Sequence, residues 1–312
     1  MVIIITGPTA VGKTKLSLLL FKKISNTFGD TFILSVDSRQ VYKYLDIGTD
    51  KVSKEIRKYI PHYLIDSFSL NYEFSLHDFL RITQKIVDFI RKNKLNLIMV
   101  GGTILYIYSL INDFSLPPTD SQIRKKYENY DVQALKEILN QIDRNILLSY
   151  PNLDKRRMIR YIEIFELTNK SIIQIMKENK ERKLSNYIDA IFILTNDREV
   201  IYDNINKRVD KQIKEGLIDE VRFILKKYGK DKRALKTYGY KEVIDYLEGI
   251  MDLPCAIENI KKNTRKYAKR QFTFLRKIEH DFIKIFNINM KNLTYDQACD
   301  FIIEKTFNVI NL

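Results

Sequence analysis

The residues from Gly7 to Thr14 form the most specific chemical pattern in this chain. They read GPTAVGKT, which matches G-x-x-x-x-G-K-[ST], and they stand between an apolar run and a helical pattern, as this P-loop motif requires. The glycines let successive backbone N–H groups and a helix N-terminus face an anion, while Lys13 adds positive charge and the Thr14 hydroxyl can ligate Mg²⁺. The pattern predicts a phosphate or diphosphate site formed by Gly7, Pro8, Thr9, Ala10, Val11, Gly12, Lys13 and Thr14.

A carboxylate at the end of the second apolar run is the next candidate for chemistry. Asp37 directly follows the run Thr31 to Val36 and is itself followed by Ser38, Arg39 and Gln40. Ligands of α/β proteins bind at the carboxyl ends of the strands, so we expect Asp37 to reach the site. There it can hold metal-bound water or accept a proton, or it can serve only as a helix N-cap.

The third apolar run argues against the commonest use of a P-loop. ATPases and kinases hold Mg²⁺ with an acidic residue beside the P-loop, usually at the end of a second apolar strand. The run from Leu97 to Val100 ends instead in Gly101, Gly102 and Thr103. The bound phosphate compound is therefore left open by the motif itself.

The elements that position these residues follow from hydrophobic patterning. Runs that are apolar at consecutive positions predict strands buried on both faces of a parallel sheet, and helical periods separate them. The strands are expected at Val2–Thr6, Thr31–Val36, Leu97–Val100 and Ala190–Thr195, with a fifth at Phe282–Phe286, and two of the helices at Lys13–Ile24 and Leu76–Arg91. This order predicts an α/β fold with a P-loop NTPase-like parallel sheet flanked by helices.

About 90 residues without a strand pattern separate the third and fourth strands, more than one crossover helix needs. We expect a helical insertion subdomain after Pro117 and Pro118, with helices at Ser121–Leu139 and Asp154–Leu167. Residues 1–115 then form the first part of the core, 116–188 the insertion, and 189–312 a helix-rich second part. That second part is predicted to contain helices at Arg208–Lys227 and Ala256–Ile278.

Composition narrows the class of protein further. The 53 Lys and Arg against 39 Asp and Glu give a net charge of +14, which attracts polyanions such as nucleic acid, although a Lys-rich composition can also reflect codon usage. Two cysteines without a CxxC pair, Cys255 and Cys299, exclude a typical structural zinc site. Neither a signal peptide nor an apolar run of spanning length is present, so a soluble, cytoplasmic protein without membrane contact is expected.

The segment from Asn259 to Lys277 contains eight Lys or Arg and no acid. On a helix, one face carries Lys262, Lys266, Lys269, Thr273 and Lys277, and the other carries Ile260, Thr264, Tyr267, Gln271, Phe274 and Ile278. The second face has the period needed to dock on a core. The first face suits contact with an RNA backbone, or it is an ordinary solvated basic face.

Nine segments in one order resemble the tRNA dimethylallyltransferases, also called tRNA isopentenyltransferases. The matching segments are GPTAVGKT from Gly7, SVDSRQVYKYLDIGTDK from Ser35, PHYLID from Pro61, FSLHDF from Phe74, VGGTILY from Val100, RRMIRYIEI from Arg156, RVDKQIKEGLIDEV from Arg208, YGYKE from Tyr238 and KRQFTFLRK from Lys269. The zinc-finger tail of eukaryotic relatives does not appear, so the resemblance is to the bacterial type.

This resemblance implies the transfer of a dimethylallyl group from dimethylallyl diphosphate to the N6 amine of the adenine at tRNA position 37, next to the anticodon. By this resemblance the P-loop and Thr103 bind the diphosphate, with Mg²⁺ at Thr14 and Arg208 as a second cation. Asp37 is implied to be the general base, so the implied catalytic residues are Asp37, Thr14, Lys13 and Arg208. The implied tRNA contacts are Asp37, Ser38, Arg39, Gln40, Thr103, Arg124, Arg156, Arg157, Arg160, Lys236, Tyr240, Lys241, Lys269, Arg270, Gln271, Phe274 and Arg276.

Three rival interpretations remain at this point. An adenylate dimethylallyltransferase would perform the same chemistry on a free nucleotide, but it has no use for a long basic helix. A P-loop small-molecule kinase would need ATP and the acid that is missing after Val100. A non-enzymatic RNA-binding protein would not need Lys13, Thr14, Asp37 and Arg208 together. The resemblance also implies a monomer.

Overall fold

One parallel sheet organises the part of the chain that carries the predicted site. The computed structural model describes residues 1–113, 116–178, 185–278 and 284–310. Six strands pair in the order β3–β2–β4–β1–β5–β6, and all of the pairings are parallel. The strands are β1 (Val2–Thr6), β2 (Thr31–Val36), β3 (His62–Tyr63), β4 (Asn96–Gly101), β5 (Ala190–Thr195) and β6 (Lys284–Asn289).

The predicted strands are confirmed where consecutive residues are apolar. β1, β2 and β5 have the expected bounds, β4 is one residue longer at each end, and β1 is buried at every position between β4 and β5. The expected fifth strand corresponds to β6; residues 282 and 283 lie outside the described ranges. Because β3 is only two residues long, it has no run from which a strand could be predicted.

Helices flank this sheet. They are α1 (Lys13–Phe28), α2 (Lys54–Tyr59), α3 (Leu76–Lys92), α4 (Ile104–Asn112), α5 (Ser121–Glu128), α6 (Val132–Ile142), α7 (Asn145–Ser149), α8 (Lys155–Thr168), α9 (Ile172–Glu178), α10 (Arg198–Lys214), α11 (Leu217–Tyr228), α12 (Tyr240–Leu247), α13 (Leu253–Leu275) and α14 (Tyr295–Ile310). Six of these helices, α4 to α9, follow one another along the chain between β4 and β5. None of the helices among the described residues is long and apolar enough to span a bilayer.

Two of the predicted helices were wrong in their continuity. The helix expected at Ser121–Leu139 is two helices, α5 and α6, because the Asp131 side chain accepts a hydrogen bond from Ala134 N and starts a new helix there. The helix expected at Arg208–Lys227 is divided between α10 and α11 by Gly216, whose φ of 97° is left-handed. Apolar periodicity continues across both breaks, so it conceals them.

The predicted basic helix is confirmed with shifted ends. α13 begins three residues before the expected Ala256, because the Asp252 side chain accepts a hydrogen bond from Cys255 N and Pro254 occupies the first turn. The helix ends at Leu275 rather than at Ile278.

The chain divides into two compact units. The sheet unit comprises Met1–Phe74, Lys85–Ile107 and Asn186–Leu312, and the helical unit comprises Ser75–Gln84 and Tyr108–Ser185. One hydrophobic core includes residues of strands β1 and β5 and of helices α1, α10 and α14. The other is formed largely by helices α6 and α8. The expected insertion, 116–188, lies mainly within the helical unit, which also includes the first part of α3.

Candidate active site

The segment Gly7–Thr14, named here the glycine loop, joins β1 to α1 and requires glycine at two positions, Gly7 and Gly12. Gly12 caps α1 at a φ of 99°, and a Cβ on Gly7 would lie 2.6 Å from the carbonyl oxygen of Leu194. No side chain of the described residues caps the N-terminus of α1, and no acid occupies its first turn. The first N–H groups of α1 therefore remain available to an anion.

Lys13 folds back over the glycine loop. Its Nζ donates hydrogen bonds to the carbonyl oxygens of Gly7 at 2.9 Å and Pro8 at 2.7 Å. Burial, reinforced by the neighbouring Arg208 guanidinium, lowers the pKa of Lys13 to about 7. A bound diphosphate would bring further negative charge beside Lys13 and would favour its charged form.

Asp37 lies just beyond β2 and caps a turn rather than a helix. Its Oδ1 accepts hydrogen bonds from Arg39 N at 2.7 Å and Gln40 N at 3.1 Å. No described residue donates to its Oδ2. The turn thus fixes the carboxylate through one oxygen and leaves the other to accept a proton from a ligand.

The ends of β2 and β4 are held together beside Asp37. Thr103 Oγ1 accepts a hydrogen bond from Ser38 N at 3.1 Å, and Thr103 N donates to the Val36 carbonyl at 3.3 Å. A Cβ on Gly101 would lie 2.2 Å from the Val36 carbonyl oxygen, so glycine permits this close approach. As predicted, β4 ends without an acidic residue.

Helix α10 supplies a second cation to the glycine loop. Arg208 Nη1 donates to Thr9 Oγ1 at 3.3 Å and pairs with Asp50 Oδ2 at 3.3 Å. One turn earlier, Asn204 Nδ2 donates to the Ala10 carbonyl at 3.2 Å. Sequence reasoning selected Arg208 but missed Asn204 and Asp50, although Asp50 belongs to the segment that begins at Ser35.

Helix α13 braces the glycine loop from the other side. Gln271 Oε1 accepts a hydrogen bond from Thr9 N at 2.9 Å, and its Nε2 donates to the Gly102 carbonyl at 2.7 Å. The Tyr267 hydroxyl donates to the same carbonyl at 3.1 Å. Gln271 is buried and holds the loop in place, yet it also lines the loop cavity, so the tRNA contact predicted for it stays a prediction.

Two adjoining cavities open on Asp37. The loop cavity, about 450 Å³, is lined by the glycine loop together with Ser35, Asp50 and Gly102. The aromatic cavity, about 320 Å³, is lined by Arg39, Tyr238 and Arg270 among others. Five residues line both cavities: Thr9, Asp37, Thr49, Arg208 and Tyr267. A carboxylate and an arginine therefore stand where the two cavities meet.

Several predicted tRNA contacts lie on the surface of the sheet unit. Lys236 and Arg270 are exposed and line the aromatic cavity, and Lys241, Lys269 and Arg276 are exposed. Tyr238, which the predicted site omitted, also lines this cavity, and its hydroxyl accepts a hydrogen bond from Arg270 Nη2 at 2.6 Å.

Tyr240 is a correction to the predicted set. Its side chain is fully buried, and its hydroxyl donates to Glu220 Oε1 at 2.6 Å. A buried and hydrogen-bonded phenol is not accessible to RNA, so this tyrosine has a structural role.

The four arginines of the helical unit that were predicted to contact tRNA divide into two pairs. Arg124 Nε and Arg160 Nη1 contact the fully buried carboxylate of Glu163 at 3.0 and 2.6 Å. Their first role is to compensate this buried charge, because an unpaired one would be costly. Arg156 and Arg157 are exposed on α8, and for them a tRNA contact stays a prediction.

The oxygen donors of the loop cavity suit a metal ion that is shared with a ligand. No three or more His, Cys, Asp and Glu side chains of the described ranges form a cluster that could hold a metal by themselves. The loop cavity is instead lined by Thr14, Ser35 and Asp37. Mg²⁺ prefers this kind of site, in which substrate phosphates and water complete its ligands.

The fold and the site define an α/β protein of the P-loop NTPase-like class, with a carboxylate facing the glycine loop. The family model described as IPP transferase matches residues 40–278, which is most of the chain. The chain belongs to this family, and the family predicted from the nine segments is confirmed.

Individual relatives agree over nearly their full lengths. The tRNA dimethylallyltransferase of Thermoanaerobacter sp. (strain X514) is 40% identical over 297 residues, covering 92% of each chain. The one from Halothermothrix orenii is 39% identical over 316 residues, covering 96% of this chain and 94% of its own.

Solved structures agree as well. The tRNA isopentenylpyrophosphate transferase of Bacillus halodurans has a TM-score of 0.68 at 33% identity, covering 99% of this chain and 98% of its own. A eukaryotic dimethylallyltransferase acting on tRNA has a TM-score of 0.79 at 25% identity, covering 99% of this chain and 79% of its own.

Proposed function

We propose that this protein transfers a dimethylallyl group from dimethylallyl diphosphate to the exocyclic N6 amine of the adenine at tRNA position 37 and releases diphosphate. The observation that carries the proposal is the meeting of the loop cavity and the aromatic cavity at Asp37. One cavity suits an anionic leaving group, the other suits a nucleobase, and a proton acceptor lies between them. The names of the relatives, tRNA dimethylallyltransferase, support the same reaction.

The glycine loop and two cations bind the diphosphate. The N–H groups at the start of α1, with Lys13 and Arg208, neutralise charge that grows as the carbon–oxygen bond breaks. These groups are already in place, so little reorganisation is needed when the charge develops. Mg²⁺ held at the Thr14 hydroxyl would supply further charge neutralisation to the bound diphosphate.

Asp37 removes the proton that the reaction releases. The adenine nitrogen forms a bond to the allylic carbon, and the carbon–oxygen bond electrons leave with the diphosphate. The nitrogen then carries one proton too many, and Asp37 Oδ2 accepts it. Positioned proton acceptors of this kind contribute roughly 10²- to 10⁴-fold to a rate.

The aromatic cavity receives the adenine. A base must leave its stack before an enzyme can act on it, and an anticodon loop permits this more easily than a duplex does. Tyr238, Tyr267 and Arg270 line the cavity with rings and a guanidinium plane on which a base can stack. The exposed Lys236, Lys241 and Lys269 then meet the RNA backbone. We further propose that the protein acts as a monomer in the cytoplasm.

Acceptor choice is the decisive experiment, because an adenylate dimethylallyltransferase would share the loop cavity. The purified protein is incubated with Mg²⁺, radiolabelled dimethylallyl diphosphate and either unmodified tRNA or AMP or ATP. We expect label in tRNA alone, falling about 10²- to 10⁴-fold in Asp37→Ala. Asp30→Ala, a change at an exposed carboxylate just before β2, should leave labelling unchanged.

Two other outcomes would each contradict the proposal. Label in the nucleotide but not in tRNA would assign the adenylate reaction. Label in neither acceptor would return a P-loop kinase or a non-enzymatic RNA-binding protein to consideration.

A further inference from the structure

Three of the sequence motifs meet at one partly buried carboxylate that lines neither cavity. Glu220 on α11 accepts hydrogen bonds at Oε2 from Asp46 N at 3.0 Å and Ile47 N at 2.7 Å. Its Oε1 accepts from Gly48 N at 3.2 Å and from the Tyr240 hydroxyl at 2.6 Å. The segments that begin at Ser35, Arg208 and Tyr238 each contribute to this cluster, and Glu220 lines neither cavity.

The carboxylate is held by neutral donors rather than by a cation. No Lys or Arg among the described residues pairs with Glu220. Burial raises the pKa of its carboxyl group, while the backbone N–H groups and the Tyr240 hydroxyl act to lower it. Three of the four donors are successive backbone N–H groups, so together they fix this stretch of backbone far more tightly than one hydrogen bond would.

Packing around the cluster leaves little freedom. A Cβ on Gly48 would lie 2.6 Å from the Tyr240 ring, so the backbone rests directly on a fully buried side chain. From the other side, Gln212 Nε2 donates to the Ile47 carbonyl at 2.7 Å. The segment 46–50, named here the anchored loop, is therefore held on both sides.

The anchored loop ends at two residues that reach the active site. Asp50 pairs with Arg208 at 3.3 Å, and the Thr49 carbonyl accepts a hydrogen bond from Gln40 Nε2 at 3.1 Å. Thr49 also lines both cavities. The position of the anchored loop thus decides where the Arg208 guanidinium and the Gln40 side chain stand relative to Asp37.

We propose that Glu220 is a positioning residue for the transfer reaction, acting through the anchored loop on Arg208 and Gln40. This proposal rests on the proposed function. If the loop shifts, Arg208 no longer meets the leaving diphosphate in the geometry that the transition state requires, and displacements of about 1 Å can cost on the order of 10²-fold in rate. Binding of tRNA should change little, because the basic surface residues that meet the RNA backbone lie outside the cluster.

Glu220→Gln tests the proposal, because the amide turns an NH₂ group toward donors that need an acceptor. We expect kcat to fall about 10- to 100-fold and the Kd for pyrophosphate to rise, with the Kd for tRNA within about twofold of the original. Tyr240→Phe keeps the ring under Gly48 and removes one donor, so a smaller loss in the same direction is expected. Asp219→Asn is the matched control, since Asp219 is the exposed neighbouring acid and pairs with Arg222 three positions away on the same helix.

A double-mutant cycle separates positioning from general stability. Because Glu220 and Asp50 act on the same arginine, the losses caused by Glu220→Gln and Asp50→Ala should be less than additive in kcat. Fully additive losses would mean that Glu220 only supports the fold. Kinetic constants of Glu220→Gln equal to those of Asp219→Asn would mean the same. If Glu220→Gln does not fold, Tyr240→Phe decides, and unchanged kcat and pyrophosphate binding in that variant would overturn the proposal.

Failure of this proposal can be told apart from failure of the proposed function. The original protein must first label tRNA in the same assay. If it does not, the proposed function is wrong, whatever Glu220 does. The pyrophosphate comparison between Glu220→Gln and Asp219→Asn requires no transfer, so it tests the anchored loop in either case.

Discussion

At the scale of single residues, the catalytic groups depend on partners that are far away in sequence. Thr9 N is bound by Gln271, and Arg208 is paired with Asp50. Each of these partners is an ordinary polar residue whose type says nothing about its role. The glycine loop can therefore be recognised by its motif, but the side chains that keep it in shape cannot.

Gln271→Glu tests how far the glycine loop relies on its brace. The carboxylate can still accept from Thr9 N, but its second oxygen faces the Gly102 carbonyl where an amide donated before. We expect the free energy of unfolding to fall by about 1–3 kcal/mol, because the Gly102 carbonyl loses the shorter of its two hydrogen bonds and faces a buried carboxylate oxygen instead. Pyrophosphate binding should also weaken, because a negative charge now adjoins the loop.

Urea unfolding and pyrophosphate titration measure the two effects. Asn259→Asp makes the same chemical change at a partly exposed position of α13 and serves as the control. Equal stability and equal affinity in the two variants would show that the loop does not need Gln271.

At the scale of elements, α13 performs two tasks on opposite faces. Ile260, Ala268 and Phe272 are buried, whereas Lys262, Lys266 and Lys269 are exposed. The 3.6-residue period predicted the exposed lysine face, but of the predicted docking face only Ile260 and Gln271 are fully buried, and Ala268, Phe272 and Leu275 complete the buried face instead. The same helix thus braces the glycine loop with Gln271 and presents positive charge to solvent.

Lys266→Gln should weaken tRNA binding mainly at low salt. If Lys266 meets a phosphate, its loss removes one released counterion, and the slope of log affinity against log salt should decrease in magnitude by about 0.7–0.9. Filter binding at several salt concentrations measures the slope. Lys22→Gln removes the same charge from an exposed position on α1, and an equal change in that control would mean that only net charge matters.

At the scale of the whole molecule, the two units each have a hydrophobic core of their own. Every residue that lines the loop cavity or the aromatic cavity belongs to the sheet unit. The helical unit instead closes around Leu135, Leu139 and Ile162. Damage to one core should therefore leave the local chemistry of the other unit intact.

Leu139→Ala tests this division. The side chain is fully buried in the helical unit, so its truncation should destabilise that unit by about 2–5 kcal/mol. The Kd for pyrophosphate should stay within about twofold under conditions where the protein remains folded. Calorimetry and titration measure both quantities, with the largely exposed Leu148→Ala as the control; a large loss of pyrophosphate affinity would contradict the independence of the units.

The sequence alone predicted the features that depend on neighbours along the chain. Strands β1, β2 and β5 follow from consecutive apolar residues, because only a sheet covered on both faces buries them all. The glycine loop follows from its spacing, and Asp37 from its place after a strand. These signals come from residues that are close together in the chain, so the sequence alone reveals them.

Tertiary structure decided the features that depend on contacts between distant segments. It separated α10 from α11 at Gly216, because a left-handed residue interrupts a helix without interrupting its apolar period. It turned Tyr240 and Gln271 inward, joined two cavities at Asp37, and gathered three motifs around Glu220. Burial and hydrogen-bond partners are properties of the folded chain, and residue type and spacing leave them open until the sheet places distant segments side by side.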